Sequence, residues 1–272
     1  MSIGREFWAA DVTLSKAAEA FHTVPTIISP YDVDPLDLTL FVSCYNEQAY
    51  IAHTLDMITE IAERADLRYE VIVIDDTSRD GSRDVVIDYI RRNPTKNILL
   101  RANKTNKGLA QNYMDGAFLG RGKYYRLICG DHAETPESTL AVFKAVGQAD
   151  IIVPYYTDIE GKNLPRRLIS NFFTGLINTL TGNKLHYYNG LAVHLRRNVM
   201  RWHSDSRGFG FQADILCRLI DLGFSYQEVA MVAIERREGK SNALTFRNLL
   251  SVAHTLLEIG IRRISNRVYR KR

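Results

Sequence analysis

VIVIDDTSRDGS, residues 71–82, decides how this chain is to be read. Val71, Ile72, Val73 and Ile74 are consecutive β-branched residues that stop abruptly at Asp75 and Asp76. A short apolar run of that kind suits a strand buried on both faces of a parallel sheet. Thr77, Ser78, Asp80 and Gly81 are turn and helix-cap residues, and Val85, Val86, Tyr89 and Ile90 follow at helical spacing. Adjacent carboxylates at the carboxyl end of a buried strand stand where open α/β sheets bind their ligands. An acidic turn with Ser78 or Asp80 capping a helix reads the same way locally. The flanking segments have to choose.

Working outward, strand-like runs at 38–42 (LTLFV), 98–100, 124–129 (YYRLIC) and 151–153 alternate with helical patterns at 50–65, 82–92, 108–119 and 136–146. Strands and helices alternating at this spacing predict βαβ units and a mostly parallel sheet flanked by helices, an α/β, Rossmann-like fold. Further on, residues 166–180, 211–222 and 245–268 read as helices, and 189–195 and 226–234 as strands. We expect an N-terminal arm (1–37) and one domain over 38–244. Its donor half is 38–154 and its acceptor half 155–244. A basic amphipathic helix, 245–272, closes the chain.

An apolar content of 46% with 24% charged residues is that of a soluble globular protein. Cys44, Cys129 and Cys217 form no CxxC pair, which argues against zinc or thiol redox chemistry and for a reduced, cytoplasmic setting. Arg5, Glu6, Asp11, Lys16 and Glu19 make the first twenty residues neither a secretory signal nor a membrane span. The net charge of +4 is concentrated at the end of the chain, where Arg247, Arg262, Arg263, Arg267, Arg270, Lys271 and Arg272 face only Glu258. A basic tail on a slightly acidic body argues against a nucleic-acid binder and for a peripheral contact with membrane phosphates. The closing helix also spaces Leu249, Ala253, Leu256, Leu257, Gly260, Ile264 and Val268 helically. That stripe fits a membrane interface, with core packing or a homo-oligomer contact as the alternative.

The loops after the first four strands are all polar: Tyr45-Asn46-Glu47, Asp75-Asp76 with Asp80, Asn106-Lys107-Gly108, and Asp131-His132-Ala133-Glu134. Neither G-x-G-x-x-G after the first strand nor G-x-x-x-x-G-K-[ST] occurs. A carboxylate-rich, glycine-poor edge handles phosphate through a divalent cation held by hard oxygen ligands.

These residues resemble the family-2 glycosyltransferases of the A-type nucleotide-diphospho-sugar transferase fold. The resemblance lies in YNE (45–47), DDTSRDG (75–81), NKGLAQNYMDGA (106–117), GDHAETPE (130–137), GFGFQADILCRLIDLGF (208–224) and RREGKSN (236–242). Within the family the chain is most similar to polyprenyl-phosphate enzymes of the dolichyl-phosphate mannose synthase type, through Arg236, Gly239 and Ser241. The resemblance implies an inverting transfer from a UDP- or GDP-sugar to polyprenyl phosphate. Tyr45, Asn46, Glu47, Asp75, Asp76, Ser78, Lys107 and Gly108 would bind the nucleotide, and Glu47 and Asp76 its base and ribose. Arg236 and Ser241, with Arg166 and Arg167, would hold the acceptor phosphate.

One departure falls in the metal motif. The family's Asp-x-Asp lands on Gly130 and His132, with Asp131 between them and a third ligand position at Glu134. An Asp131/His132/Glu134 set suits Mg²⁺ or Mn²⁺, the imidazole favouring Mn²⁺; the alternative is a lost metal, with Asp131 only capping the next helix. A second departure puts Tyr187-Tyr188-Asn189-Gly190 where the family has an aspartate shortly before a glycine. If the acceptor were a saccharide or glycolipid hydroxyl, a base would be needed, and Asp214 is the candidate. A catalytically silent nucleotide-sugar-binding scaffold is the rival outside the enzymes.

Overall fold

In the computed structural model, β2 (Tyr69–Asp75) buries every residue except Tyr69 and sits inside the sheet. It pairs in parallel with β1 (Leu38–Cys44) on one side and β3 (Ile98–Ala102) on the other. The structure describes residues 36–159, 164–201, 210–233 and 246–269. The expected N-terminal arm lies outside them apart from Leu36 and Asp37, as do Arg236 and Ser241.

Helices α1 (Ile51–Arg64), α2 (Ser82–Arg92) and α3 (Leu109–Leu119) connect β1, β2, β3 and β4 (Tyr124–Cys129) in turn. Next come α4 (Pro136–Lys144), β5 (Ile151–Ile159), α5 (Leu164–Thr181), β6 (Val193–Leu195), α6 (Arg196–Met200), α7 (Phe211–Asp221), β7 (Tyr226–Ala233) and α8 (Phe246–Tyr269). The strands lie in the order β3-β2-β1-β4-β6-β5-β7. β6 runs antiparallel to both β4 and β5, so those two share a direction. The strand expected at 189–195 is thus a three-residue antiparallel insert. Just before it, a side chain at Gly190 would collide with the carbonyl oxygen of Pro154.

Alternation along the strands builds two cores. Leu40, Val42, Val71 and Val73 meet Ile51, Leu55 and Ile58 of α1 and Phe143 of α4. Phe41, Ile72, Ile74 and Leu127 point the other way, to Tyr113 of α3, Ile177 of α5, Phe211 of α7 and Ile259 of α8. Burial on both faces is why these strands read as unbroken apolar runs. It also leaves β1, β2 and β4 ending together, with their loops gathered at one edge.

Candidate active site

The first two loops at that edge are sewn together. Asn46 N donates to Ser78 Oγ at 3.0 Å, and Arg79 N returns a bond to Asn46 Oδ1 at 2.8 Å. Glu47 N donates to Ser82 Oγ, Gln48 N to Asp80 Oδ2, and Gly81 N to Gln48 Oε1. Ser78 and Asn46, expected to meet a nucleotide, are therefore also the fasteners between the loops. Gln48 was missed by sequence reasoning, its only signal being its place beside YNE. Tyr45 projects 46% exposed at the rim, an open ring face for stacking.

The two aspartates of the opening run divide their work. Asp75 is fully buried, accepting from Arg83 at 2.6 and 2.9 Å on one oxygen and from Ser78 N on the other. That makes it a brace for the turn. Asp76 Oδ1 accepts from Asn103 Nδ2 and Lys107 N, each at 2.8 Å, and Oδ2 from Gly108 N at 2.9 Å. Burial pushes its pKa up, but these donors outweigh it and hold the carboxyl below its usual range. Asp76 thus shapes the Asn106–Gly108 loop, while Oδ2 keeps lone-pair capacity for one more donor. Gly108 has φ 80°, a conformation that favours glycine. Lys107 Nζ reaches Asp115 at 2.8 Å, which Arg101 also engages.

Strain gathers here. Of the four non-glycine residues described with positive φ, Asn46, Thr77 and His132 lie in the loops after β1, β2 and β4. Cys44 and Cys129 end β1 and β4, but burial pushes Cys44 up to about 12 and Cys129 higher still. Neither serves as a thiolate nucleophile near neutral pH.

The fourth loop redistributes the expected metal ligands. Glu134, buried, accepts from Arg126 Nη2 at 2.9 and 3.0 Å and from Thr139 Oγ1 at 3.0 Å. Arg126 is wholly buried on β4 and donates through Nε to Leu191 O. His132 carries the left-handed φ of 54° and lies 6.1 Å, ring to ring, from His53. Burial, and then His53, hold its imidazole below the usual pKa against the pull of Asp131, so the ring is neutral near pH 7. Its Nδ1 has no hydrogen-bond partner among the described residues. The following helix is capped by Thr135, whose Oγ1 accepts from Ser138 N with Pro136 in the first turn, and not by Asp131. No three His, Cys, Asp or Glu side chains converge as a ready cation cage among the described residues. Mg²⁺ and Mn²⁺ do not require one, since one or two protein ligands plus diphosphate oxygens and water suffice. Asp131 and the open Nδ1 of His132 fit that lesser requirement; Glu134 is committed to Arg126.

Arg166 and Arg167, expected at the acceptor, lie in the first turn of α5, and of these two residues only the backbone is described. Asp214, the candidate base, sits in the first turn of α7 with no exposed surface. Arg262 of α8 donates to it at 2.6 Å, and Arg218 stands at 3.6 Å. Facing two guanidiniums, this buried carboxylate ties α7 to α8. His186 lies against Tyr155 and its Nδ1 is 2.9 Å from Glu228.

The family model of glycosyl transferase family 2 matches residues 39–202, more than half of the 272. The chain belongs to that family. This family-2 glycosyltransferase is 27% identical over 215 residues to the undecaprenyl-phosphate mannosyltransferase of Micrococcus luteus, covering 74% of this chain and 84% of that one. It is 24% identical to a dolichyl-phosphate beta-glucosyltransferase of Trichomonas vaginalis, over 87% of this chain and 74% of that one. A dolichyl-phosphate beta-glucosyltransferase of Dictyostelium discoideum is 34% identical over 118 residues, 41% of this chain, and the match spans only 36% of that protein. Glucosyl-3-phosphoglycerate synthase from Mycobacterium tuberculosis, solved with UDP, superimposes with a TM-score of 0.63 at 15% identity, over 83% of this chain and 80% of that one. The same synthase with Mn²⁺, UDP and phosphoglyceric acid also gives 0.63, over 85% and 82%. At that identity the likeness establishes the A-type fold.

Proposed function

We propose that this family-2 glycosyltransferase moves a sugar from a UDP- or GDP-sugar to polyprenyl phosphate at a membrane surface. What carries the acceptor class is similarity to an undecaprenyl-phosphate enzyme along most of both chains. The burial of Asp214 supports the same acceptor: a phosphate oxygen is already anionic and needs no base, whereas a sugar hydroxyl does. In this reading Tyr45 and Glu47 receive the nucleoside, with the spare capacity of Asp76 Oδ2, on a floor stiffened by Asp75 and Ser78. Lys107 and Gly108 close the pocket beside them. Asp131 and His132 are the residues that would hold a divalent cation, which supplies charge stabilisation to the departing diphosphate. Arg236 and Ser241, with Arg166 and Arg167, place the acceptor phosphate in line.

The membrane contact is assigned to α8. Leu257, Ile261, Ile264 and Val268, spaced by four, three and four residues, form one stripe and are each 64–67% exposed. No helix among the described residues is long and apolar enough to cross a membrane. An exposed apolar stripe beside the basic run that ends the sequence fits a peripheral, interfacial helix.

The test is transfer of radiolabel from UDP- and GDP-sugars to polyprenyl phosphate with Mg²⁺ or Mn²⁺. Label entering the lipid phase, and lost in Asp131→Asn, is expected. Label transferred only to saccharides, or nucleotide binding without turnover across donors and acceptors, would overturn the proposal.

A further inference from the structure

The ring of His186 is exposed yet held by its surroundings. It lies in the segment between α5 and β6 and stacks on Tyr155 of β5, centroid to centroid at 4.6 Å and 21° from parallel. One carboxylate, that of Glu228 on β7, engages both its main chain and its ring. His186 N donates to Oε1 at 2.8 Å, and Nδ1 stands 2.9 Å from Oε2. The Glu228 side chain keeps 17% of its surface, whereas that of His186 keeps 64%. Ordering an exposed side chain costs rotamer entropy, and here a single histidine takes both oxygens of a largely buried acid. Because a carboxylate only accepts, Nδ1 carries a proton, and the nitrogen left for a ligand is Nε2.

The fold sets this ring at the edge where the donor loops gather. Arg126 of β4 and Ile152 of β5 both pair with Val193 of β6, so Cys129 and Tyr155, equally far along their strands, stand at one height. Cys129 ends β4, immediately before the Gly130–Glu134 loop. In the order β3-β2-β1-β4-β6-β5-β7, the loops expected to hold the nucleotide follow the strands on one side of β4, and Tyr155 lies on the other side. An in-line displacement puts the acceptor opposite the leaving diphosphate, across the anomeric carbon. β7, which brings Glu228, runs parallel to β5 and ends at Ala233, shortly before Arg236 and Ser241 in the chain, the residues expected at the acceptor phosphate.

We propose that His186 contacts the acceptor phosphate through Nε2, with Glu228 as the positioning residue that fixes its ring. The contact presupposes the polyprenyl-phosphate reading above and adds to it a residue that none of the sequence motifs marks. A doubly protonated imidazole donates from both nitrogens, so Glu228 on Nδ1 and a phosphate oxygen on Nε2 bracket one ring between two anions. His186 makes and breaks no bond; it holds the phosphate whose oxygen attacks.

The test uses the full chain and substitutions that separate the two ring nitrogens. His186→Asn keeps a donor for Glu228 at the Nδ1 position and removes the distal nitrogen, whereas His186→Gln carries a donor to the distal position. His186→Asn should raise KM for polyprenyl phosphate about tenfold or more, the usual effect of losing a hydrogen bond to a charged group, with KM for the nucleotide sugar unchanged. His186→Gln should recover part of that loss. Glu228→Ala, which frees the ring, should raise the same KM and leave that of the nucleotide sugar. Direct titration with farnesyl phosphate, with farnesol as the control, reads the contact without turnover. Wild type should prefer the phosphate to the alcohol, and His186→Asn should lose about tenfold of that preference. Equal KM and equal farnesyl phosphate affinity in wild type and His186→Asn overturn the contact. So does a loss confined to kcat, which would make the ring a proton acceptor for a hydroxyl. Label transferred only to saccharides by the wild type would overturn the polyprenyl-phosphate reading, and the farnesyl phosphate titration would still decide whether His186 meets a phosphate.

Discussion

Arg126, wholly buried in the middle of β4, places Nη2 within 3.0 Å of both carboxylate oxygens of Glu134, eight residues further along the chain. The same guanidinium holds Leu191 O through Nε at 3.1 Å, so one cation fastens the acidic loop to the segment entering β6. Desolvating such a pair is costly, and its attraction repays that cost only while both partners are present. Arg126→Met should therefore lose about 3–5 kcal/mol, because Glu134 is left buried without its cation. Arg126→Met combined with Glu134→Met should lose less than the two single changes together. Urea unfolding of the four proteins checks this, and a single-variant loss under about 1 kcal/mol would remove the pair from any organising role.

Gly130, where the resemblance places the family's first acidic position, leaves little room for a side chain. A Cβ on it would lie 2.7 Å from the carbonyl oxygen of Ser43 and 3.1 Å from Ile51 Cδ1, and the first of these is backbone. Restoring the family residue with Gly130→Asp should destabilise the protein by about 1–3 kcal/mol, the usual cost of overpacking. It should also fail to improve Mn²⁺-dependent transfer. Thermal unfolding and a Mn²⁺ titration of activity decide it; a variant both stable and more active would show that the loop relaxes.

What could be read in advance followed from local physics. β2 was legible because β-branched residues run unbroken into Asp75 and Asp76, and burial on both faces demands that pattern. The shared edge of the polar loops was legible because four of them had to end neighbouring strands. What was missed depended on partners far apart in sequence. Arg262 and Arg263 read as part of a basic tail, yet both point inward to Asp214 and Asp221. Arg126, an arginine inside YYRLIC, did carry a signal, since a charge in a buried strand must find a counter-ion. Nothing in the sequence identified Glu134 as that counter-ion in preference to a metal ligand.

Asp76 gives a pH-dependent prediction. Although burial opposes its ionisation, donors from Lys107, Asn103, Asn112 and Gly108 lower its pKa in the folded state. A carboxyl depressed in this way contributes stability above its unfolded pKa, about 3.9, and loses that contribution as pH falls through the lower folded value. Asp76→Asn should be less stable than wild type by about 2 kcal/mol at pH 7, given hydrogen bonds to a charged acceptor. The gap should narrow as pH drops below about 4. Urea midpoints measured from pH 7 to pH 3 give the comparison, and a gap that widens in acid would be incompatible with the assignment.

Asp214 separates catalysis from architecture. Loss of a general base typically costs about 10²–10⁴ in rate. Loss of one partner in a buried ion pair costs about 3–5 kcal/mol of stability with the chemistry intact. Because Asp214 is buried against Arg262 and Arg218, Asp214→Asn should show the second pattern, as should Arg262→Met. Turnover per folded molecule at low temperature, beside a denaturation curve, checks it. A hundredfold loss of turnover in a protein of unchanged stability would restore the base and, with it, a hydroxyl acceptor.

The α8 stripe decides between a membrane and a second copy of the chain. Ile261 is 66% exposed, so Ile261→Asp should leave the fold untouched. Burying an isoleucine is worth about 1.5–3 kcal/mol. Removing it from an interfacial helix, and adding an anion, should therefore weaken binding to phosphatidylglycerol vesicles about tenfold or more. Transfer to detergent-dispersed polyprenyl phosphate should be retained, because the stripe lies on the outer side of a helix whose inner side packs on α7. Light scattering supplies the opposing outcome. If wild type were an oligomer that Ile261→Asp converts to monomer while vesicle binding stays the same, the stripe would be a subunit contact and the peripheral reading would fall. A monomeric wild type whose vesicle binding drops in the variant assigns the stripe to the lipid surface.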